Sequence, residues 1–138
     1  MSTLVVLDTN VVVSAAIHAG GPPGQLVERV LAQDVIAVTC PRIVAEYRAV
    51  MARPKLAQLG LPPVWLDALV WLAHHRVRDP PPWPRVGPDP DDLVFLALAK
   101  ATRAVLVTGN LRHFPARIRM GVPVISPATY LGTHPVLL

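Results

Sequence analysis

The chain has little cysteine, few acids and no long apolar run, and each shortage narrows what it can be. Its one cysteine, Cys40, excludes an internal disulfide framework and fits a reducing compartment, so a cytoplasmic protein is expected. No apolar stretch approaches the roughly 20 residues of a membrane-spanning helix. The best candidate, Val64 to Ala73, is interrupted by Asp67. The amino terminus carries no basic segment ahead of an apolar one and opens directly on a strand pattern, so no secretory signal is expected. No internal repeat, low-complexity tract or linker divides the chain, and 138 residues suit one domain, 1–138, with a real core. A hydrophobic content of 52% excludes a disordered chain.

The acids number 9 against 13 Lys and Arg, a net charge of +4. Their distribution is more informative than their sum. If Asp8, Glu46, Asp89, Asp91 and Asp92 gather, only Glu28, Asp34, Asp67 and Asp79 remain elsewhere, and 13 − 4 leaves the rest of the chain at +9. An acidic pocket within a basic surface suits a polyanion drawn to a metal centre. An ordinary solvated, Arg-rich surface explains the charge equally well.

Strand-like and helix-like runs alternate. Leu4 to Leu7 reads as a strand buried on both faces, and Val35 to Thr39, Ala104 to Val107 and Val122 to Ile125 as three more. Between them, Gly20 to Gly24 is a loop, and Leu26, Val27, Val30 and Leu31 follow helical spacing. Further helices are predicted from Pro41 to Arg53, from Pro63 to Arg76 with His74 and His75 at its end, and from Pro90 to about Thr102. Asp79 to Pro90, with six prolines, is an irregular loop, and His18 and His134 fall in loops. This order predicts an α/β fold with a parallel sheet between helices. The helix around Trp65 to Leu72 is apolar almost all round, which calls for deep burial or a homodimer contact.

Asp8 directly follows the first strand, at the carboxyl edge where ligand crevices form in open α/β sheets. Capping of the next turn would also explain it. Glu46 flanks the apolar stripe of its helix, where a surface pair with Arg42 is the plain alternative. Asp89, Asp91 and Asp92 all suit a helix start, as N-cap and first-turn acids. Asp92 differs in sharing a face with Phe95, Leu96 and Ala99, the packing face, so it is preferred over its two neighbours as a ligand. Thr108-Gly109-Asn110 ends the third strand as Asp8-Thr9-Asn10 ends the first, although a simple turn would have the same residues. Carboxylates about 4 Å apart repel by roughly 4 kcal/mol at an effective dielectric of 20, so a cluster needs protons or cations. Oxygen donors without a Cys or His cluster favour Mg²⁺ or Mn²⁺ over Zn²⁺.

Four segments in this order carry a resemblance. They are Asp8-Thr9-Asn10-Val11 with Ser14-Ala15, and Pro41-Arg42-Ile43-Val44-Ala45-Glu46-Tyr47 with Arg53-Pro54-Lys55-Leu56 downstream. The others are Asp89-Pro90-Asp91-Asp92 leading into Phe95-Leu96-Ala97-Leu98-Ala99, and Val107-Thr108-Gly109-Asn110 ahead of His113-Phe114. Over nearly the whole chain they resemble the PIN domain family of metal-dependent ribonucleases, and within it the VapC-related toxin components of toxin–antitoxin pairs.

The resemblance implies a three-layer α/β/α sandwich with a central, mostly parallel sheet. It implies an endoribonuclease that cleaves single-stranded or exposed RNA with activated water, leaving a 5′-phosphate and a 3′-hydroxyl. Mg²⁺ or Mn²⁺ would be held by Asp8, Asp92 and Glu46, the last directly or through water. Thr9, Asn10 and Thr108 match supporting positions. Asn110 departs from the pattern, standing where many members have a fourth Asp; its amide oxygen can reach a metal but brings no charge. Arg48, Lys100, Arg112 and His113 are candidates for phosphate contact, with plain surface charge as the other reading. The implied partner is a small antitoxin covering the acidic pocket. Two alternatives remain. One is a haloacid-dehalogenase-type phosphatase built on Asp8 and Thr108, which usually has an Asp where this chain has Asn10. The other is a non-catalytic PIN domain that only binds RNA or a partner.

Overall fold

A computed structural model describes residues 4–73 and 77–135. Four short parallel strands form one sheet in the order β2-β1-β3-β4: β1 (Leu4–Leu7), β2 (Ile36–Ala37), β3 (Val105–Val107) and β4 (Val124–Ile125). β1 lies between β2 and β3, pairing Val5 with Ala37 on one side and Val6 with Leu106 on the other. Strands so short hold together because both faces are covered: Val5, Val6, Leu7, Leu106 and Val107 are fully buried.

The helices flanking the sheet are α1 (Thr9–Ile17), α2 (Pro22–Leu31), α3 (Pro41–Met51), α4 (Pro54–Ala57), α5 (Trp65–Leu72), α6 (Leu93–Thr102), α7 (Ala116–Arg119) and α8 (Pro127–Thr133). Proline at the first or second position opens α2, α3, α4 and α8, where its missing N–H costs nothing. α6 is buried on every side from Val94 to Ala99 and packs on β1, β3 and α3.

The expected α/β fold with a parallel sheet is what the chain adopts. Several elements differ from the reading of the sequence or were absent from it. α2 begins at Pro22, inside the stretch Gly20 to Gly24 expected as a loop, and α1, α4, α7 and α8 have no counterpart in it. α1 is a helix although Val11-Val12-Val13 is β-branched; Val11, Val12 and Ala15 are buried and the helix packs on α2 and α3, so tertiary burial outweighs propensity. Pro90–Asp92 forms a 3₁₀ turn ahead of α6 rather than its first α-helical turn. α5 is amphipathic in place: Leu66, Leu69 and Val70 are buried, while Val64 and Trp71 are 97% and 77% exposed. The expected continuation of this helix through His74, His75 and Arg76 lies outside the described residues. Among the described residues no helix is long and apolar enough to cross a membrane.

Because all strands run parallel, their carboxyl ends share one edge. Pairing continues one residue past the strands there. The Asp8 N–H donates to the Val107 carbonyl at 3.0 Å, and the Thr108 N–H to the Ile125 carbonyl at 3.0 Å. Asp8 and Thr108 thus leave the sheet side by side.

Candidate functional site

The site is organised around one hydroxyl. Thr108 Oγ1 donates to Asp8 Oδ2 at 2.8 Å and accepts from the Asn110 backbone N–H at 3.0 Å and from Asn10 Nδ2 at 3.5 Å. A hydroxyl has one proton and two lone pairs, so all are engaged and the proton points at Asp8. Asn10 completes the bridge between the strand ends, its Oδ1 accepting from the Gly109 N–H at 3.0 Å. A Cβ on Gly109 would stand 3.4 Å from that oxygen, in ordinary van der Waals contact with the Asn10 amide.

Asp8 is 3% exposed. Burial pushes its pKa up from 3.8 to about 6, Thr108 and the N–H groups of Thr9 and Asn10 pull it down, and the Asp92 charge pushes it up again. Although Asp8 occupies the N-cap of α1, its side chain makes no capping hydrogen bond. The carboxylate is held as a charge-bearing group against the cost of desolvation rather than used to start the helix.

Glu46 is half-buried on α3 and accepts from Thr9 Oγ1 at 2.6 Å, not from Arg42. Its pKa is raised, first by burial and then by the charges of Asp8, Asp91 and Asp89, with Thr9 opposing. The next residue, Tyr47, is fully buried and donates its hydroxyl to the Leu7 carbonyl at 2.5 Å, fastening α3 to the end of β1. Tyr47 stands in the motif Pro41 to Tyr47 and is buried, but its bond to Leu7 was not foreseen from the sequence.

Asp92 ends the 3₁₀ turn and its side chain is 13% exposed. Its pKa is raised by burial, then by Asp89 and Glu46, while His113 lowers it. Asp89 caps the turn by accepting from the Asp91 N–H at 3.0 Å, as its N-cap position predicts. The mutual influence of Asp8, Glu46, Asp89, Asp91 and Asp92 shows one acidic cluster, the gathering that leaves the remaining chain strongly basic.

Asp8, Thr9, Asn10, Asp92 and His113 line a cavity of about 440 Å³. Glu46 is not in the lining and meets it through Thr9; Asn110 contributes its backbone N–H to Thr108 and is half-buried. The four candidate phosphate-contact residues separate. His113 is drawn into the acids, its Nδ1 2.7 Å from Asp92 Oδ2. Asp89, Asp92 and His113 each place a ligand atom within 4.8 Å of the others, so a histidine stands beside the oxygen donors expected from the sequence. Lys100 lies two turns along α6, donates to the Met120 carbonyl at 2.9 Å and lines a different hollow beside Val105, at the other end of β3. Arg48 pairs with Asp67 at 2.8 Å and faces a groove beside Cys40 and Val70. Arg112 is exposed and outside the lining. In place of Lys100 and Arg48, the cavity takes Arg53 and Lys55.

The donor set fits a divalent cation. A buried carboxylate with a single side-chain hydroxyl donor, facing further half-buried acids, holds uncompensated negative charge that a hard cation satisfies.

The model of the PIN domain matches residues 4–112. An uncharacterized protein of Methanocaldococcus jannaschii is 32% identical over 108 residues, covering 77% of this chain and 70% of that protein. Among solved structures, VapBC2 from Rickettsia felis bound to a DNA fragment from their promoter shares the fold, with a TM-score of 0.57 and 18% identity over 89% of this chain and 98% of that one. The phosphatase alternative therefore falls, and Asn10 already has its amide engaged by Thr108 and Gly109. The strand-end acids, the parallel sheet and a match across residues 4–112 lead to one conclusion: the chain belongs to the PIN domain family.

Proposed function

We propose that this protein is a metal-dependent endoribonuclease and the toxin of a toxin–antitoxin pair. The observation that carries the reading is the convergence of Asp8 and Asp92 on one cavity, with Glu46 joined to it through Thr9. Membership of the PIN domain family supports nuclease chemistry, and the likeness to VapBC2 supports an antitoxin partner.

Asp8 and Asp92 would hold Mg²⁺ or Mn²⁺, with Glu46 as a ligand directly or through water and Asn110 as a further oxygen donor. When bound, the cation supplies positive charge against the scissile phosphate and acidifies water. Thr108 keeps Asp8 oriented by its single proton, and Thr9 does the same for Glu46. Where Glu46 reaches the site through water, it orients the attacking water and, with its raised pKa, takes its proton as the water oxygen bonds to phosphorus. The P–O3′ bond breaks as this happens, and the departing 3′-oxygen is protonated from solvent. Tyr47 sets the height of Glu46 over the strand edge. The enzyme acts in the cytoplasm, as a homodimer through the exposed face of α5 carrying Val64 and Trp71.

The test is cleavage of single-stranded RNA by purified protein with Mg²⁺ or Mn²⁺ and with chelator. Products with 5′-phosphate ends are expected. Asp8→Asn and Asp92→Asn should each lose about a hundredfold or more, the effect of several kcal/mol of lost charge stabilisation. Undiminished cleavage in both variants, or in chelator, refutes the assignment. A small protein encoded beside this one that co-purifies and inhibits cleavage is the expected antitoxin, and light scattering tests the dimer.

A further inference from the structure

The cavity is lined by groups of both charges: Asp8 and Asp92 with Arg53, the N-cap of α4, and Lys55 in that helix. Val13, Val50 and Leu56 complete the lining with apolar surface.

Arg53 and Lys55 are exposed, and neither is in a salt bridge or donates a side-chain hydrogen bond among the described residues. Arg42, Arg78, Arg85, Arg103 and Arg112 likewise have no side-chain acceptor among the described residues; what sets Arg53 and Lys55 apart is that they line the cavity holding Asp8 and Asp92. The two cations share the lining of one cavity with Asp8 and Asp92, and neither is ion-paired with them. They stand too far off to pair with the acids, and the space between is part of an opening of about 440 Å³. A ligand that satisfies this lining must carry negative charge for the cations and apolar surface for the apolar residues. It must also accept a cation-mediated contact with the acids. A single-stranded nucleic acid offers this set: one phosphate for the basic residues, a base or ribose for the apolar ones, and the next phosphodiester for the acids. A stacked duplex cannot insert a base there.

We propose that Arg53 and Lys55 form a phosphate-binding subsite that seats single-stranded RNA with its neighbouring phosphodiester against Asp8 and Asp92. This subsite deepens the nuclease reading and rests on it, and binding can be measured without turnover.

The experiment uses the full-length chain with Asp8→Asn, a fluorescein-labelled single-stranded RNA decamer and Mg²⁺, read by anisotropy over a salt series. Arg53→Ala and Lys55→Ala should each weaken binding about tenfold, as expected for loss of one charge-assisted contact. The salt slope should fall by about 0.7 for each phosphate contact removed. Arg53→Lys should restore most of the affinity, and the matching duplex should bind more weakly than the single strand. In the otherwise unaltered enzyme the loss should appear in KM rather than kcat. Affinity and salt slope unchanged in the double alanine variant overturn the subsite, as does equal binding of duplex and single strand or no binding at all. A protein that never cleaves RNA but binds it through Arg53 and Lys55 overturns the nuclease reading alone.

Discussion

Thr108 and Asp8, 100 positions apart in the chain, are joined by a buried 2.8 Å hydrogen bond that ties the ends of two neighbouring strands. The Thr108 hydroxyl has no capacity left, since its lone pairs already take the Asn110 N–H and the Asn10 amide. Thr108→Val keeps the shape and removes all three bonds. It leaves the Asn110 N–H without its partner and takes from the buried Asp8 carboxylate its one side-chain donor, at about 1–3 kcal/mol for each group. The expected result is a lower midpoint in urea without a change in slope, with Thr108→Ser close to the parent. Equal stability of the valine variant would show that Asp8 is solvated by other means.

Asp8 also makes stability depend on pH in an unusual direction. Its pKa rises from 3.8 to about 6 on folding, chiefly through burial. The folded chain then holds this proton more tightly than the unfolded chain does. The associated stability is full below the unfolded pKa and is lost as pH rises through about 6. A shift of this size corresponds to at most about 3 kcal/mol. In chelator, Asp8→Asn should therefore be more stable than the parent at pH 8, and the difference should vanish near pH 4. Adding Mg²⁺ or Mn²⁺ at pH 8 should raise the parent's Tm and leave the variant's nearly unmoved. A parent–variant difference that stays constant across this range removes the raised pKa from consideration.

What the sequence disclosed follows from where its signals are local. Leu4 to Leu7 and Val105 to Val107 are uninterrupted apolar runs ended by polar residues, so Asp8 and Thr108 could be placed at strand ends without knowledge of the rest. Asp89 and Pro90 announce the turn that presents Asp92. α1 stayed hidden because its valines favour a strand locally and only their burial against α2 and α3 makes the helix. The basic residues failed for a different reason. Lys100 is near Asp92 in sequence, but eight residues of helix carry it about 12 Å along the axis. Arg53 and Lys55 are far from Asp8 in sequence, and the turn after α3 brings them back to the cavity. No periodicity encodes that return. His113 was noticed as a cation, but its bond to Asp92 depends on the 3₁₀ turn Leu111–His113, which the sequence reading lacked.

The His113–Asp92 contact gives a third prediction. At 2.7 Å, Nδ1 orients the carboxylate that faces Asp8, in the way outer partners commonly hold metal ligands in place. His113→Ala should weaken Mn²⁺ binding, measured by calorimetry, by about 10- to 100-fold. His113→Gln, which can still donate to Asp92, should recover part of the loss. Mn²⁺ affinity unaltered in the alanine variant would place His113 outside the metal's surroundings.

Asn110 gives the last. It follows Thr108 by two residues, its N–H is bound to the Thr108 hydroxyl, and by its resemblance to the PIN domain pattern it matches the position where many members have a fourth Asp. Without that charge, one bound cation per chain is the expected stoichiometry. Asn110→Asp adds a carboxylate near Asp8, where like charges about 4 Å apart at an effective dielectric of 20 repel by roughly 4 kcal/mol. The metal-free variant should be less stable than the parent at pH 8, and the deficit should shrink on acidification as the cluster takes up protons. With Mn²⁺ the order should reverse, because a second cation converts the repulsion into attraction. Calorimetry should then give two bound Mn²⁺ per chain in the variant against one in the parent. A parent that already binds two, or a variant that binds one with unchanged metal-free stability, would show that position 110 does not face the metal.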